Sequence, residues 1–237
     1  MSLLITSCTR EGIVMASDSR TSFNREMQRE NERISQQGIG YSDTCHKTFL
    51  TPNRIGISTC RDGGIGGVPI GGYIEAFIRE KITAETEVQA VPNLLMAYFR
   101  KFDPVPDTQF LVAGYETDEG ELKPTVFEVI LKENRWRPVP MGNQGIVWAG
   151  ETDVMNRLFS EVFMKNSKEE MKSLPRHDLA YRFFTLQDAI DFAVYGIHTT
   201  INTMRFQMRV KSVGGPIDVL VIKPEEAFWV QRKELHI

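Results

Sequence analysis

Glycines are concentrated between residues 63 and 72, directly before an apolar segment with helical spacing. Such a cluster could hold a phosphate, but it lacks the Gly-Lys-Ser/Thr ending that places a lysine on the phosphate oxygens. Pro69 suits the first turn of a helix, where its missing N–H costs nothing. We therefore interpret the cluster as a flexible helix entry, and we expect no cofactor.

The dipeptide Cys45-His46 could supply a thiolate–imidazole pair or part of a metal site. Metal-ligand spacing is absent, because the four histidines and three cysteines are scattered along the chain. A Cys–His nucleophile pair must meet in space rather than in sequence. The dipeptide therefore predicts ordinary loop or strand structure, and no metal is expected.

Four segments carry a more specific pattern: GIVMASDSR (12–20), KTFL (47–50), IGISTCRDGG (55–64) and SVGGPIDVLVI (212–222). They resemble the proteasome family of N-terminal-nucleophile (Ntn) hydrolases, which includes the proteasome β subunits and the bacterial heat-shock ring protease. In that family a Thr or Ser begins the chain. A strand, a glycine turn and a second strand ending Ala-x-Asp-x-Arg follow, and this frame is matched by Gly12, Ala16, Asp18 and Arg20.

The resemblance implies a catalytic set of Ser2, Asp18 and Lys47. Counting back from Gly12 and Asp18 places the family's nucleophile on Ser2, and the Lys-x-Phe strand places its lysine on Lys47. A serine hydroxyl needs a base, and a free α-amino group with a pKa of ~7.7–8.0 can accept its proton. Lys47 would stabilise the alkoxide, and Asp18 would keep that lysine charged and oriented.

The supporting residues implied by the resemblance are Arg20, Ser212, Arg209 and Arg61, and two of these depart from the family pattern. Three residues before Ser212 the family has an Asp, whereas this chain has Arg209. Arg61 follows Cys60 where the family has a glycine-rich turn whose N–H stabilises an oxyanion. In place of the family's Ser before the third helix, the sequence reads WAGETD, with Gly150 or Glu151 near that position. These changes predict an altered supporting shell around the catalytic set.

The secondary-structure elements that must position these residues are predicted as runs of strands that alternate with pairs of helices. Strands are predicted at 3–8, 13–17, 47–50, 55–60, 110–115, 125–131, 145–150, 217–222 and 227–232, with a short one at RWRPV, and residues 21–42 are predicted to form an exposed loop. Helices are predicted around 70–78, 94–102, 154–162 and 190–204, with a loop near 165–172. Thr185 and Asp188 resemble a capping box before the last helix. Antiparallel-looking strand runs and paired helices predict an α+β four-layer αββα sandwich, formed by one domain over residues 1–237.

Composition excludes several function classes. The 28 Lys and Arg against 31 Asp and Glu give a net charge of -3 without a basic tail, which argues against nucleic-acid binding. No apolar run approaches the length of a membrane span, and the start of the chain lacks the features of a secretory signal. Three scattered cysteines suit a reducing compartment, so we predict a cytoplasmic protein without a membrane partner.

These observations predict a Ser2 peptidase of threonine/serine endopeptidase type that acts on peptides or proteins after Met1 is removed. It would form a ring or helical homo-oligomer and could work with an unfoldase partner. Two alternatives stay open: a catalytically silent ring or scaffold subunit, and a small-molecule amide hydrolase on the same fold. A retained Met1 would favour the silent subunit, because the α-amino nitrogen of Ser2, which is the proposed base, would then be part of a peptide bond.

Overall fold

The computed structural model describes residues 2–29 and 32–234, with backbone alone for 25–29 and 32–34. In chain order the strands are β1 (Leu3–Cys8), β2 (Ile13–Ser17), β3 (Thr21–Arg29), β4 (Glu32–Ser42), β5 (Thr48–Leu50), β6 (Gly56–Arg61), β7 (Gly64–Ile65), β8 (Val68–Pro69), β9 (Thr108–Asp118), β10 (Glu121–Ile130), β11 (Arg135–Pro138), β12 (Gly145–Gly150), β13 (Phe163–Lys165), β14 (Met171–Ser173), β15 (Asp218–Ile222) and β16 (Ala227–Gln231). The α-helices are α1 (Ile70–Lys81), α2 (Val91–Phe99), α3 (Asp153–Phe159) and α4 (Leu186–Arg205).

Two five-stranded sheets form the centre of the molecule. The first has the strand order β12-β1-β2-β15-β16, and the second has the order β11-β10-β9-β6-β5. Neighbouring strands are antiparallel in both sheets. The described chain is therefore a mixed α/β protein with several sheets and four α-helices, as the alternation of strand runs and helix pairs predicts.

The buried apolar side chains fall into three clusters. One joins the second sheet to α1 and α2, through residues such as Ile57, Phe110, Phe77 and Phe99. Another joins the first sheet to α3 and α4, for example through Leu3, Val14, Met155 and Ile197. The remaining cluster contains Leu4, Met15 and Leu220 from the first sheet with Leu111 and Val126 from the second. Because side chains alternate along a strand, each sheet supplies two of these clusters.

The predicted capping box is present at the start of α4. The Thr185 hydroxyl accepts a hydrogen bond from the Asp188 N–H at 3.1 Å, and the Asp188 carboxylate accepts one from the Thr185 N–H at 2.9 Å. These two bonds satisfy amide groups that a helix start leaves without internal partners. Sequence and structure therefore agree on where this helix begins.

The prediction of an exposed loop over residues 21–42 is wrong in its secondary structure. The segment forms a two-stranded antiparallel hairpin, β3 with β4. Its apolar side chains Phe23, Ile39 and Tyr41 are about half exposed. The polar composition predicted solvent exposure, but backbone hydrogen bonds between two strands do not require buried side chains.

The prediction of a loop near residues 165–172 holds for residues 166–170, which form a largely exposed turn, but not for the residues on either side of that turn. Here β13 and β14 pair as a short antiparallel hairpin. The helix before them also ends earlier than its apolar stripe predicts, at Phe159.

Among the described residues, no helix is long and apolar enough to cross a membrane. The number of domains is not tested by these observations, so the single domain over residues 1–237 stays a prediction.

Candidate functional site

Asp18 follows the last residue of β2 and is completely buried. Its carboxylate accepts four hydrogen bonds: Oδ1 from the Leu3 N–H at 3.1 Å and the Lys47 ammonium at 3.0 Å, and Oδ2 from the N–H groups of Arg20 at 3.1 Å and Gly214 at 2.9 Å. Buried carboxylates are tolerated when they are paired and hydrogen-bonded in this way. Asp18 therefore connects the start of β1, the residue before β5 and the turn before β15.

Lys47 lies directly before β5, and only 4% of its surface is exposed. Its Nζ also donates a hydrogen bond to the backbone carbonyl of Arg20. Its own carbonyl accepts one from the Thr59 N–H at 2.8 Å, which anchors it to β6. Burial lowers the pKa of Lys47, while the adjacent Asp18 carboxylate opposes that shift.

Ser2 directly precedes β1 and is 5% exposed. Its carbonyl accepts a hydrogen bond from the Glu151 N–H at 2.8 Å. The preceding residue, Gly150, has a φ of +90°, and a Cβ at this position would collide with the Ser2 carbonyl oxygen. Met1 lies outside the described residues, so its removal stays a prediction.

A cavity of about 670 Å³ opens beside these residues. Its lining includes Ser2, Lys47, Thr59, Arg61 and Glu75. This volume is within the range of small-molecule and peptide side-chain pockets. The Thr59 hydroxyl is buried in this wall and has no hydrogen-bond partner within the described part of the chain.

Arg20 also lines the cavity, and its side chain is bound by residues of the 41–43 segment. Its guanidinium makes two hydrogen bonds of 2.7 Å with Asp43 and lies 3.9 Å from the centre of the Tyr41 ring. Gly214 leaves room for it, because a Cβ there would collide with the guanidinium. The hydrogen bond with Asp43 raises the pKa of Arg20. Arg20 therefore fastens the 42–44 segment to the turn that holds Asp18.

Arg209 and Ser212 meet at Glu151. Arg209 donates hydrogen bonds to the Glu151 carboxylate and, at 2.6 Å, to Asp153 Oδ2. The Ser212 hydroxyl donates to Glu151 Oε2 at 3.1 Å. The positive charge of Arg209 is therefore balanced by two carboxylates, and the spacing of the sequence did not predict that Asp153 is one of them.

Arg61 ends β6 with a φ of +76°, a conformation in which glycine is far more common. Its side chain donates to Asp107 at 2.9 Å and to Gln109 at 3.3 Å. The backbone at Arg61 is thus in a conformation that glycine adopts readily, although the side chain here is large.

The dipeptide Cys45-His46 lies on the wall of the same cavity. His46 Nδ1 is 3.6 Å from the buried carboxylate of Asp218, which Lys233 also contacts. Burial lowers the pKa of His46. Within the described residues, no group of three or more His, Cys, Asp or Glu side chains is arranged to hold a metal ion.

The comparisons with known proteins concern the fold. No protein-family model matches the chain. No curated protein matches it either. Among solved structures, Anbu from Hyphomicrobium sp. strain MC1 matches with 12% identity and a TM-score of 0.56, over 98% of this chain and 88% of that one. A mutant of the same Anbu matches with 13% identity and a TM-score of 0.54, over 97% of this chain and 87% of that one.

These matches correct the resemblance drawn from the sequence. The segments were assigned to the proteasome β subunits and the heat-shock ring protease, and this assignment is wrong, since the solved structures that match the chain are those of Anbu. At 12–13% identity, a few short sequence motifs are not enough to distinguish between proteins that share a fold. The chain is therefore distantly similar in fold to Anbu.

Proposed function

We propose that this chain is an N-terminal-nucleophile hydrolase in which Ser2, freed of Met1, attacks the carbonyl group of a peptide or amide. The observation that carries the proposal is the position of Asp18. One buried carboxylate binds both the N–H of Leu3, next to Ser2, and the ammonium group of Lys47. Asp18 thereby fixes both the backbone next to the candidate nucleophile, Ser2, and the candidate cation, Lys47.

The proposed roles follow from this arrangement. The α-amine of Ser2 accepts the hydroxyl proton, because both groups belong to one residue and their geometry is set by covalent bonds. Lys47 stabilises the developing negative charge on the oxygen, and Asp18 orients Lys47. The cavity beside Ser2 and Lys47 receives the substrate. Because Ser2 and Lys47 are buried among fixed polar groups, water screens the charges at this site less, and the electrostatic stabilisation is stronger.

The same proposal covers the architecture. The three apolar clusters support a four-layer αββα arrangement, with one cluster between the sheets and one beneath each helix pair. We further propose a peptide or protein substrate, a homo-oligomeric assembly and an unfoldase partner that delivers substrate to it.

The test uses protein whose Ser2 terminus has been verified by intact mass, assayed with a panel of fluorogenic peptides. Ser2→Ala is expected to abolish turnover, and Lys47→Met to lower it on the order of 100-fold, because each removes a group used in the transition state. Ser173→Ala and Lys132→Met are matched controls, since both side chains are exposed and distant in sequence from the site. These controls are expected to keep wild-type turnover.

Three outcomes discriminate between the hypotheses. Equal turnover by the wild type and Ser2→Ala would refute the nucleophile assignment. Retention of Met1 in the native protein, with no turnover, would favour the silent subunit. Hydrolysis of a small acyl amide without hydrolysis of peptides would favour a small-molecule amide hydrolase.

A further inference from the structure

The peptide group between Ser2 and Leu3 is held at both of its ends. Its N–H, on Leu3, donates to Asp18 Oδ1 at 3.1 Å, and its C=O, on Ser2, accepts from the Glu151 N–H at 2.8 Å. In a trans peptide the N–H and C=O point in opposite directions. Asp18 and Glu151 therefore bind this group from opposite sides and limit its rotation.

The Glu151 side chain connects the hydrogen bonds of this peptide group to the turn before β15. Its Oε2 accepts a hydrogen bond from the buried Ser212 hydroxyl at 3.1 Å. Two residues later, the Gly214 N–H donates to Asp18 Oδ2 at 2.9 Å. The turn thus connects Glu151 with Asp18. Together with the two bonds to the Ser2–Leu3 peptide group, these bonds form a closed hydrogen-bond network, or circuit, around the start of β1.

Charge is concentrated on the Glu151 side of this circuit. The side chains of Glu151, Asp153 and Arg209 are 11%, 33% and 27% exposed, respectively. Arg209 binds both carboxylates, which otherwise would repel each other within a partly buried space. Loss of the Arg209 charge would leave both carboxylates without this counter-ion, and the backbone N–H of one of these residues, Glu151, binds the Ser2 carbonyl.

We propose that Glu151 and Arg209 are positioning residues for Ser2, and that their opposite charges offset each other so that the α-amine of Ser2 is not held as a cation. This inference rests on the proposed function, in which that amine must be neutral to accept a proton. An uncompensated carboxylate would favour the protonated amine, whereas an uncompensated guanidinium would disfavour it.

The measurement is the pKa of the α-amine in full-length protein with a free Ser2 terminus. Trace acetic anhydride reacts only with neutral amines, so the pH dependence of labelling, read by peptide mass spectrometry, gives this pKa. Arg209→Gln is expected to raise it by about one unit, and Glu151→Gln to lower it by about one unit. The double variant Glu151→Gln with Arg209→Gln conserves net charge and is expected to return to the wild-type value.

Two controls separate charge from structure. Arg209→Lys keeps the positive charge, and Arg176→Gln removes an exposed arginine that pairs with Asp178 at 3.3 Å. Both are expected to leave the amine pKa unchanged. If the network had only a structural role, loosening it would move the amine in every variant toward the ordinary value of ~7.7–8.0. Shifts in the same direction for Arg209→Gln and Glu151→Gln, or no shift in either, would overturn the inference.

The other charged and titratable groups on the wall of the Ser2 cavity stay unchanged in these variants: Arg20, Cys45, His46, Lys47, Cys60, Arg61, Asp62, Glu75 and Asp107, together with the buried Asp18. The pH–rate profile of peptide turnover is recorded for the same proteins. Opposite pKa shifts without turnover would uphold the charge balance and refute the proposed function. Turnover without opposite shifts would uphold the proposed function and overturn this inference.

Discussion

At the residue scale, the buried carboxylate of Asp18 joins several separate segments of the candidate site. Its two oxygens bind one ammonium group and three backbone N–H groups. The ammonium group belongs to Lys47, which has little contact with water. A buried cation of this kind depends on its counter-ion, because removal of one partner leaves an uncompensated charge.

Asp18→Asn is therefore expected to lower the free energy of unfolding by about 3 kcal/mol or more at pH 7, measured by urea unfolding. Burial already lowers the pKa of Lys47 below its unfolded value of 10.5, and loss of the carboxylate lowers it further. Between the folded and unfolded pKa values the unfolded chain binds more protons, so stability rises with pH. The deficit relative to wild type is thus expected to shrink as the pH rises from 7 toward 10.

Asp178→Asn provides the control for this experiment, since Asp178 is exposed in its pair with Arg176. It is expected to change stability by less than ~0.5 kcal/mol. A deficit for Asp18→Asn that is small, or that grows as the pH rises, would contradict the role given to Asp18.

At the element scale, the end of β12 determines how closely the chain approaches Ser2. Gly150 pairs with Leu3 in the β1–β12 ladder and adopts a positive φ. The next residue, Glu151, then donates its N–H to the Ser2 carbonyl. This close approach depends on the missing side chain of Gly150, because a Cβ would occupy the position of the carbonyl oxygen.

Gly150→Ala is expected to lower the free energy of unfolding by about 2 kcal/mol or more, since it adds backbone strain to a steric collision. It is also expected to reduce any Ser2-dependent turnover by displacing the start of β1. Gly72→Ala is the matched control, because Gly72 lies in α1 with open space around its Cβ position. Alanine is expected to leave stability equal or up to ~1 kcal/mol higher there. Equal stability of the two variants in thermal and urea unfolding would refute this account of Gly150.

At the scale of the whole molecule, apolar side chains are exposed near α3, α4 and the β13–β14 hairpin. They include Leu158, Phe163, Met164, Met171, Phe183, Phe206 and Met208. Exposed apolar side chains are typical of interaction sites where they lie together on one surface. A homo-oligomer could cover these side chains, so they are the place to test the proposed assembly.

Light scattering at micromolar concentration is expected to give a multiple of the 27.0 kDa chain mass. The double substitution Phe183→Ser with Phe206→Ser is expected to reduce that mass, because both side chains are more than 80% exposed and would lose apolar contact area. Leu122→Ser, in the separate β9–β10 hairpin, is the control and is expected to keep the assembly. A wild-type mass of a single chain would contradict the assembly proposal.

Local patterns predicted much of the fold. The apolar runs on either side of Gly12 predicted the β1–β2 pair, and Thr185 with Asp188 predicted the start of α4. Such predictions succeed because helix caps and strand runs depend on residues close in sequence. Residues 21–42 were wrongly predicted as a loop, because strand pairing uses backbone groups that composition does not report.

The sequence by itself determined the strands of the two five-stranded sheets and the four helices, but not the two-stranded hairpins. It also determined the residue types available near the chain start: a serine, an aspartate and a lysine in a recognisable spacing. Only the tertiary structure decided how these side chains are partnered. Arg209 and Glu151 are 58 residues apart in sequence, and Asp18 and Gly214 are 196 apart. Contacts over such separations form only when the first sheet has assembled, because β2, β12 and β15 are distant in sequence and all belong to that sheet.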